Sequence, residues 1–156
     1  MPVRESGNVR VAANASDTII STFLVFFIFL WYYLNVRIFK YKWFHRFAGK
    51  EGITDNELKE IVKQLENGQY YADLGGGVYK MRLARQQEGK KSGNYRLIVI
   101  FKSEFRTFFA YGFSKSKMSN VEGNELKGFK KQAKEYLSLT EEQIKSMLKI
   151  KDLIEI

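Results

Sequence analysis

Residues 74–117 read LGGGVYKMRLARQQEGKKSGNYRLIVIFKSEFRTFFAYGFSKSK. Between Val78 and Arg85, Tyr79, Met81 and Leu83 alternate with Lys80, Arg82 and Ala84, the period-two pattern of a half-buried strand. Tyr95 to Lys102 (YRLIVIFK) is apolar on both faces in its middle, which predicts a central strand. Phe105 to Phe113 (FRTFFAYGF) is rich in strand formers and follows a tight turn marked by Glu104. Gln86 to Asn94 (QQEGKKSGN) is a polar hairpin loop. These spacings predict three consecutive antiparallel strands. The stretch holds ten of the 26 lysines and arginines and two acids, Glu88 and Glu104. The predicted sheet therefore presents a cationic face.

Working outward toward the N-terminus, Arg37 to Lys42 (RIFKYK) alternates apolar and basic residues as a short strand does. Trp43, Phe44 and Phe47 have helical spacing before Gly49 to Gly52 interrupts it. Thr54 is placed to cap a second helix, with Glu57 completing a capping box, and Leu58, Ile61, Val62 and Leu65 form its apolar stripe. Asn67-Gly68 closes that helix. Tyr70 to Leu74 and the glycines Gly75, Gly76 and Gly77 read as a flexible approach to the next strand. Toward the C-terminus, Ser114 to Asn120 is a polar basic exit. Leu126, Phe129, Ala133, Tyr136 and Leu137 mark an amphipathic helix, and Thr140 caps a last helix with Ile144, Met147 and Leu148 on its apolar side. Ile150 to Ile156 is a short tail. The class is α+β: a small antiparallel sheet of about four strands packed on an N-terminal αα-hairpin, with C-terminal helices. Three parts are expected: 1–35 as an extension, 36–139 as the main domain and 140–156 as a C-terminal helix and tail.

The formal charge of +9 belongs to residues 36–156, because Arg4 and Arg10 balance Glu5 and Asp17 in the first 35. A basic domain suggests nucleic acid, an anionic membrane surface or an acidic protein as partner. There is no cysteine and His45 is the only histidine, which excludes thiolate nucleophiles and cysteine or multi-histidine metal sites. The glycine triplet lacks the spacing of a phosphate loop. No cofactor and no metal are expected. Ile19 to Val36 (IISTFLVFFIFLWYYLNV) is uncharged over 18 residues, the lower bound for a membrane-spanning helix. Arg37, Lys40 and Lys42 follow, which would leave the C-terminal domain in the cytoplasm. The alternative is a start assigned too early, with the domain beginning near Val36; no Met occurs between Met1 and Met81.

RIFKYKWF at 37–44, DLGGGVYKMRLAR at 73–85, GKKSGNYRLIVIF at 89–101 and FAYGFSKSKMSN at 109–120 together resemble the RelE/ParE-type toxins of bacterial toxin–antitoxin systems. They are most similar to the RelE/HigB-like branch. The likeness covers roughly residues 36–140. It implies the RelE-like microbial ribonuclease-type fold, and an endoribonuclease that cuts mRNA in the ribosome and is silenced by a cognate helix-turn-helix antitoxin. Residue by residue, the family's strand bases correspond to Lys80 and Arg82, its Gly-x-Arg base to Arg96, and its basic exit to Lys115 and Lys117. The chain departs from the best-known members at Ser116, where they carry arginine, and in having no tyrosine shortly after Asn120.

RNA brings its own nucleophile, the 2′-OH, so these residue types suffice for cleavage. Arg82 and Arg96 suit the phosphate, because a guanidinium stays charged and binds it bidentately. Lys80 among other cations suits a general base, and Lys115, Lys117 or Tyr111 an acid. Arg85, Lys90, Lys91 and Arg106 are candidates for general RNA contact or for solvated charges, and Tyr111 for stacking on a base. Two other functions remain open: a non-enzymatic ParE-like binder of DNA gyrase, and a membrane-anchored basic nucleic-acid-binding module. Truncation after Leu139 is expected to abolish gyrase poisoning while sparing RNA cleavage.

Overall fold

The computed structural model describes residues 14–33, 36–85, 93–102, 106–117, 121 and 123–156, which fall into the units Met1–Asn35 and Val36–Ile156. In the first unit, helix α1 (Ala15–Tyr33) turns the side chains from Ile19 to Leu30 to the outside. No helix among the described residues is long and apolar enough to cross a membrane. Residues 34 and 35 of the possible span at 19–36 lie outside the described residues.

The second unit begins with strand β1 (Arg37–Tyr41) and the helices α2 (Lys42–Glu51) and α3 (Asp55–Glu66). Gly52, at φ 66°, ends α2 in the left-handed conformation that glycine adopts without strain. The Thr54 hydroxyl accepts from the Glu57 amide while the Glu57 carboxylate accepts from the Thr54 amide, the expected capping box. Four strands follow: β2 (Ala72–Gly75), β3 (Val78–Arg85), β4 (Gly93–Lys102) and β5 (Arg106–Ser114). Helices α4 (Asn124–Leu137) and α5 (Glu141–Lys149) and strand β6 (Leu153–Glu155) complete the chain. Thr140 and Gln143 form a second capping box at α5.

The six strands make one sheet in the order β2-β3-β4-β5-β1-β6. The expectation of about four antiparallel strands is corrected on two points. β1 lies parallel to β5, and the short edge strands β2 and β6 were invisible to periodicity. β2 forms because Gly76 and Gly77, at φ 64° and 80°, make a two-residue turn that folds it back on β3. The glycine triplet is thus a hairpin turn. The tail expected at 150–156 enters the sheet, with Leu153 buried at 1% exposure.

Helices α2 and α3 cover one face of the sheet. There Phe44 stacks on Phe109, and the buried Lys40 reaches the Asp55 carboxylate at 2.6 Å. Helix α4 lies on the other face, where Tyr136 packs on Tyr41 and Phe108. The register of β5 against β4 shifts at Ala110: Val99 pairs with Phe109, but Ile98 pairs with Tyr111. Without that extra residue, Phe109 and Tyr111 would share a face. The bulge sends Phe109 to α2 and Tyr111 to the α4 side.

Candidate active site

Alternation along β3 puts Lys80 and Arg82 on the α4 face, and the register places Arg96 of β4 directly opposite Arg82. Across β4, Arg96 faces Phe113 and Ile98 joins Lys80 to Tyr111. Two rows therefore run over this face: Arg82, Arg96, Phe113 and Lys80, Ile98, Tyr111. The β2 hairpin brings Tyr71 over the cations. Its ring centre lies 4.3 Å from the Arg82 guanidinium, 4.9 Å from that of Arg96 and 5.3 Å from the Lys80 ammonium.

Like charges directly opposite each other in a sheet are destabilising. Several other bases of this sheet are paired with carboxylates, Arg37 with Glu141 and Glu155, Lys40 with Asp55, Arg85 with Glu57 and Arg106 with Glu141, while Lys102 opposite Arg106 is exposed and has no such partner among the described residues. Arg96 is different. It is only 6% exposed, and among the described residues it has no carboxylate partner. Its guanidinium donates one long bond, 3.4 Å, to the Tyr95 carbonyl and faces the Tyr71 ring. A cation–π contact contributes about 0.5–2 kcal/mol. Taking an ion out of water costs several kcal/mol. The ring alone does not offset the burial of Arg96.

The remaining candidates separate. Arg85 is corrected as an RNA contact, because its side chain points to the α2–α3 face and is taken up there. It donates to both Glu57 oxygens and to the carbonyls of Glu51 and Gly52. These bonds, with help from the Thr54 amide, hold the Glu57 carboxyl at about 2. Arg106 is corrected likewise: it donates at 2.5 Å to the Leu139 carbonyl and at 2.5 Å to Glu141. That bond, joined by Arg37, keeps the Glu141 carboxyl below its ordinary value. Lys90 and Lys91 lie outside the described residues. Lys115 and Lys117 follow β5 with exposed side chains, anchored by backbone bonds to Asn94 and Ser114. Lys117 lines a separate cleft of about 410 Å³ with Trp43, Arg46, Phe47 and Lys50, on the α2 side.

Tyr111 does reach the cationic face. Its ring is stacked 4.5 Å from Trp43 and touches Phe113 and Phe129. Tyr71 escaped the sequence reading. No period marks it, because its position depends on a two-glycine turn five residues later. Among the described residues, no group of three histidine, cysteine or carboxylate side chains is placed to hold a metal.

Residues 36–156 match the family described as the RelE toxin of the RelE / RelB toxin–antitoxin system. No curated relative matches the chain.

Proposed function

The chain belongs to the RelE toxin family and is a toxin of a toxin–antitoxin system, and on that premise we propose that its three-cation face cleaves mRNA in the ribosome. The observation that carries this reading is Arg96, buried opposite Arg82 without a carboxylate partner among the described residues. A phosphodiester supplies the missing anion. Arg82 and Arg96 bind its non-bridging oxygens and offset the charge that grows as the 2′-OH attacks, usually the largest single contribution to such a reaction. Lys80, two residues from Arg82 on the same face, takes the 2′-OH proton. Tyr111 stands two strands away, about 9–10 Å in backbone spacing, and its phenol protonates the leaving 5′-oxygen. Lys115 and Lys117 then hold flanking RNA by charge. The products are a 2′,3′-cyclic phosphate and a 5′-OH, and the attack needs no protein nucleophile.

A helix-turn-helix antitoxin is the proposed partner that silences the face, and the HigB-like branch the proposed affiliation. Expression should arrest growth, and Arg96→Ala or the Lys80/Arg82 double alanine variant should relieve the arrest with the fold intact. Full toxicity in both would remove these residues from the site. Arrest accompanied by gyrase inhibition without mRNA cuts would favour the ParE-like alternative.

A further inference from the structure

We propose that a recess beside Arg82, walled by Gln64, Gln69 and Tyr70, receives the nucleobase next to the phosphate that Arg82 and Arg96 grip, and so sets where the mRNA is cut. This rests on the cleavage reading. The recess exists because β2 starts only at Ala72 and pairs with β3 from Val78 to Lys80. From Met81 onward, no described strand flanks the outer edge of β3. The last turn of α3 and the segment Gln69–Tyr71 close the space instead, with Met81 and Arg82 on the β3 side.

The space measures about 280 Å³. Pockets for drug-sized ligands start near ~300 Å³, so one planar ring fits better than a longer stretch of chain. Its chemistry is sorted by position. Arg82 is the only charged group of the wall, and Tyr71, whose ring covers all three cations, is shared by the recess and the cationic face. A phosphate held on the Arg82 guanidinium therefore leaves its neighbouring base facing a neutral wall. Tyr70, half exposed and leaning on Tyr79 at 5.2 Å, offers a ring for that base to stack on. The Gln64 and Gln69 carboxamides make no side-chain hydrogen bond to any described residue. Each has a donor and an acceptor side by side, the pattern that pairs with two adjacent atoms of a base edge. One such bidentate pair discriminates between bases by on the order of ten- to a hundredfold. The cations read only the backbone, which every RNA shares, so discrimination falls to these two side chains.

Gln64→Met with Gln69→Met keeps the volume and removes the hydrogen bonds from two exposed positions. Cuts made in mRNA on purified ribosomes should be mapped to the nucleotide for wild type and the double variant. The expected result is a base bias at one position beside the cut that flattens about tenfold in the variant. The same distribution of cuts in both proteins would overturn the inference and leave the cleavage reading standing. In parallel, the side-chain amide signals of Gln64 and Gln69 should be followed while the toxin is titrated with 2′-O-methyl dinucleotides, which cannot be cleaved. Shifts that depend on the base are expected; shifts equal for all four bases, or none, would overturn it. A wild-type toxin that cuts no mRNA would defeat the cleavage reading, and the dinucleotide titration would still decide whether the recess reads a base.

Discussion

Arg85→Met should destabilise the fold and erase much of its sensitivity to acid. Arg85 has 4% of its side chain exposed and ties β3 to the α2–α3 turn through Glu57. That contact holds the Glu57 carboxyl at about 2, against an ordinary 4.5. The difference corresponds to at most about 3 kcal/mol of stability. Removing one partner of a buried pair typically costs about 3–5 kcal/mol, since the other charge is left stranded. The sign follows from the depressed carboxyl. Its contribution is complete above about 4.5 and is lost as the pH falls toward about 2. Urea denaturation followed by Trp43 fluorescence, at neutral pH and at steps through that window, measures both effects. Wild type should lose stability steeply in the window, and Arg85→Met should start about 3–5 kcal/mol lower and decline less. A loss below about 1 kcal/mol at neutral pH, or parallel acid limbs, would refute the assignment of Arg85 to the fold.

Gly112→Ala places a methyl 2.3 Å from the Phe47 ring; forcing that ring and α2 aside should cost about 1–3 kcal/mol, read as a lower Tm. Tyr111→Phe keeps every ring contact and removes only the phenol, so the cleavage rate should fall while Tm stays; an unchanged rate would take the acid role from Tyr111. Truncation after Leu139 removes buried Ile144 and Leu153 together with the carboxylates that hold Arg37 and Arg106. Its expected result is an unfolded or strongly destabilised chain by circular dichroism. It therefore cannot separate RNA cleavage from gyrase poisoning, contrary to the expectation from sequence.

What the sequence disclosed is what local rules control. The alternation of Val78–Arg85 and the Thr54–Glu57 box depend on residues within one turn or one strand, and both formed as read. Edge strands β2 and β6 have four and three residues, too few to show a period, and they exist because a glycine turn and the end of α5 deliver them to a partner. The same limit applies at the site. Lys80, Arg82 and Arg96 could be grouped because one register relates two adjacent strands. Arg85 follows the same alternation onto the other face, where its fate was decided by Glu57, 28 residues earlier. The facing of Tyr111 turned on a single extra residue, Ala110, and the place of Tyr71 on the fold of a hairpin.

The central claim is that Arg96 is buried for an external phosphate and not for the fold. Arg96→Met tests it when stability and cleavage are measured on the same preparation. Deleting a buried cation that stands opposite another cation should leave the stability unchanged or raise it. Cleavage of mRNA on ribosomes, with 2′,3′-cyclic phosphate and 5′-OH ends in wild type, should fall about a hundredfold or more. A variant that unfolds while its folded fraction still cuts at the wild-type rate would contradict the account.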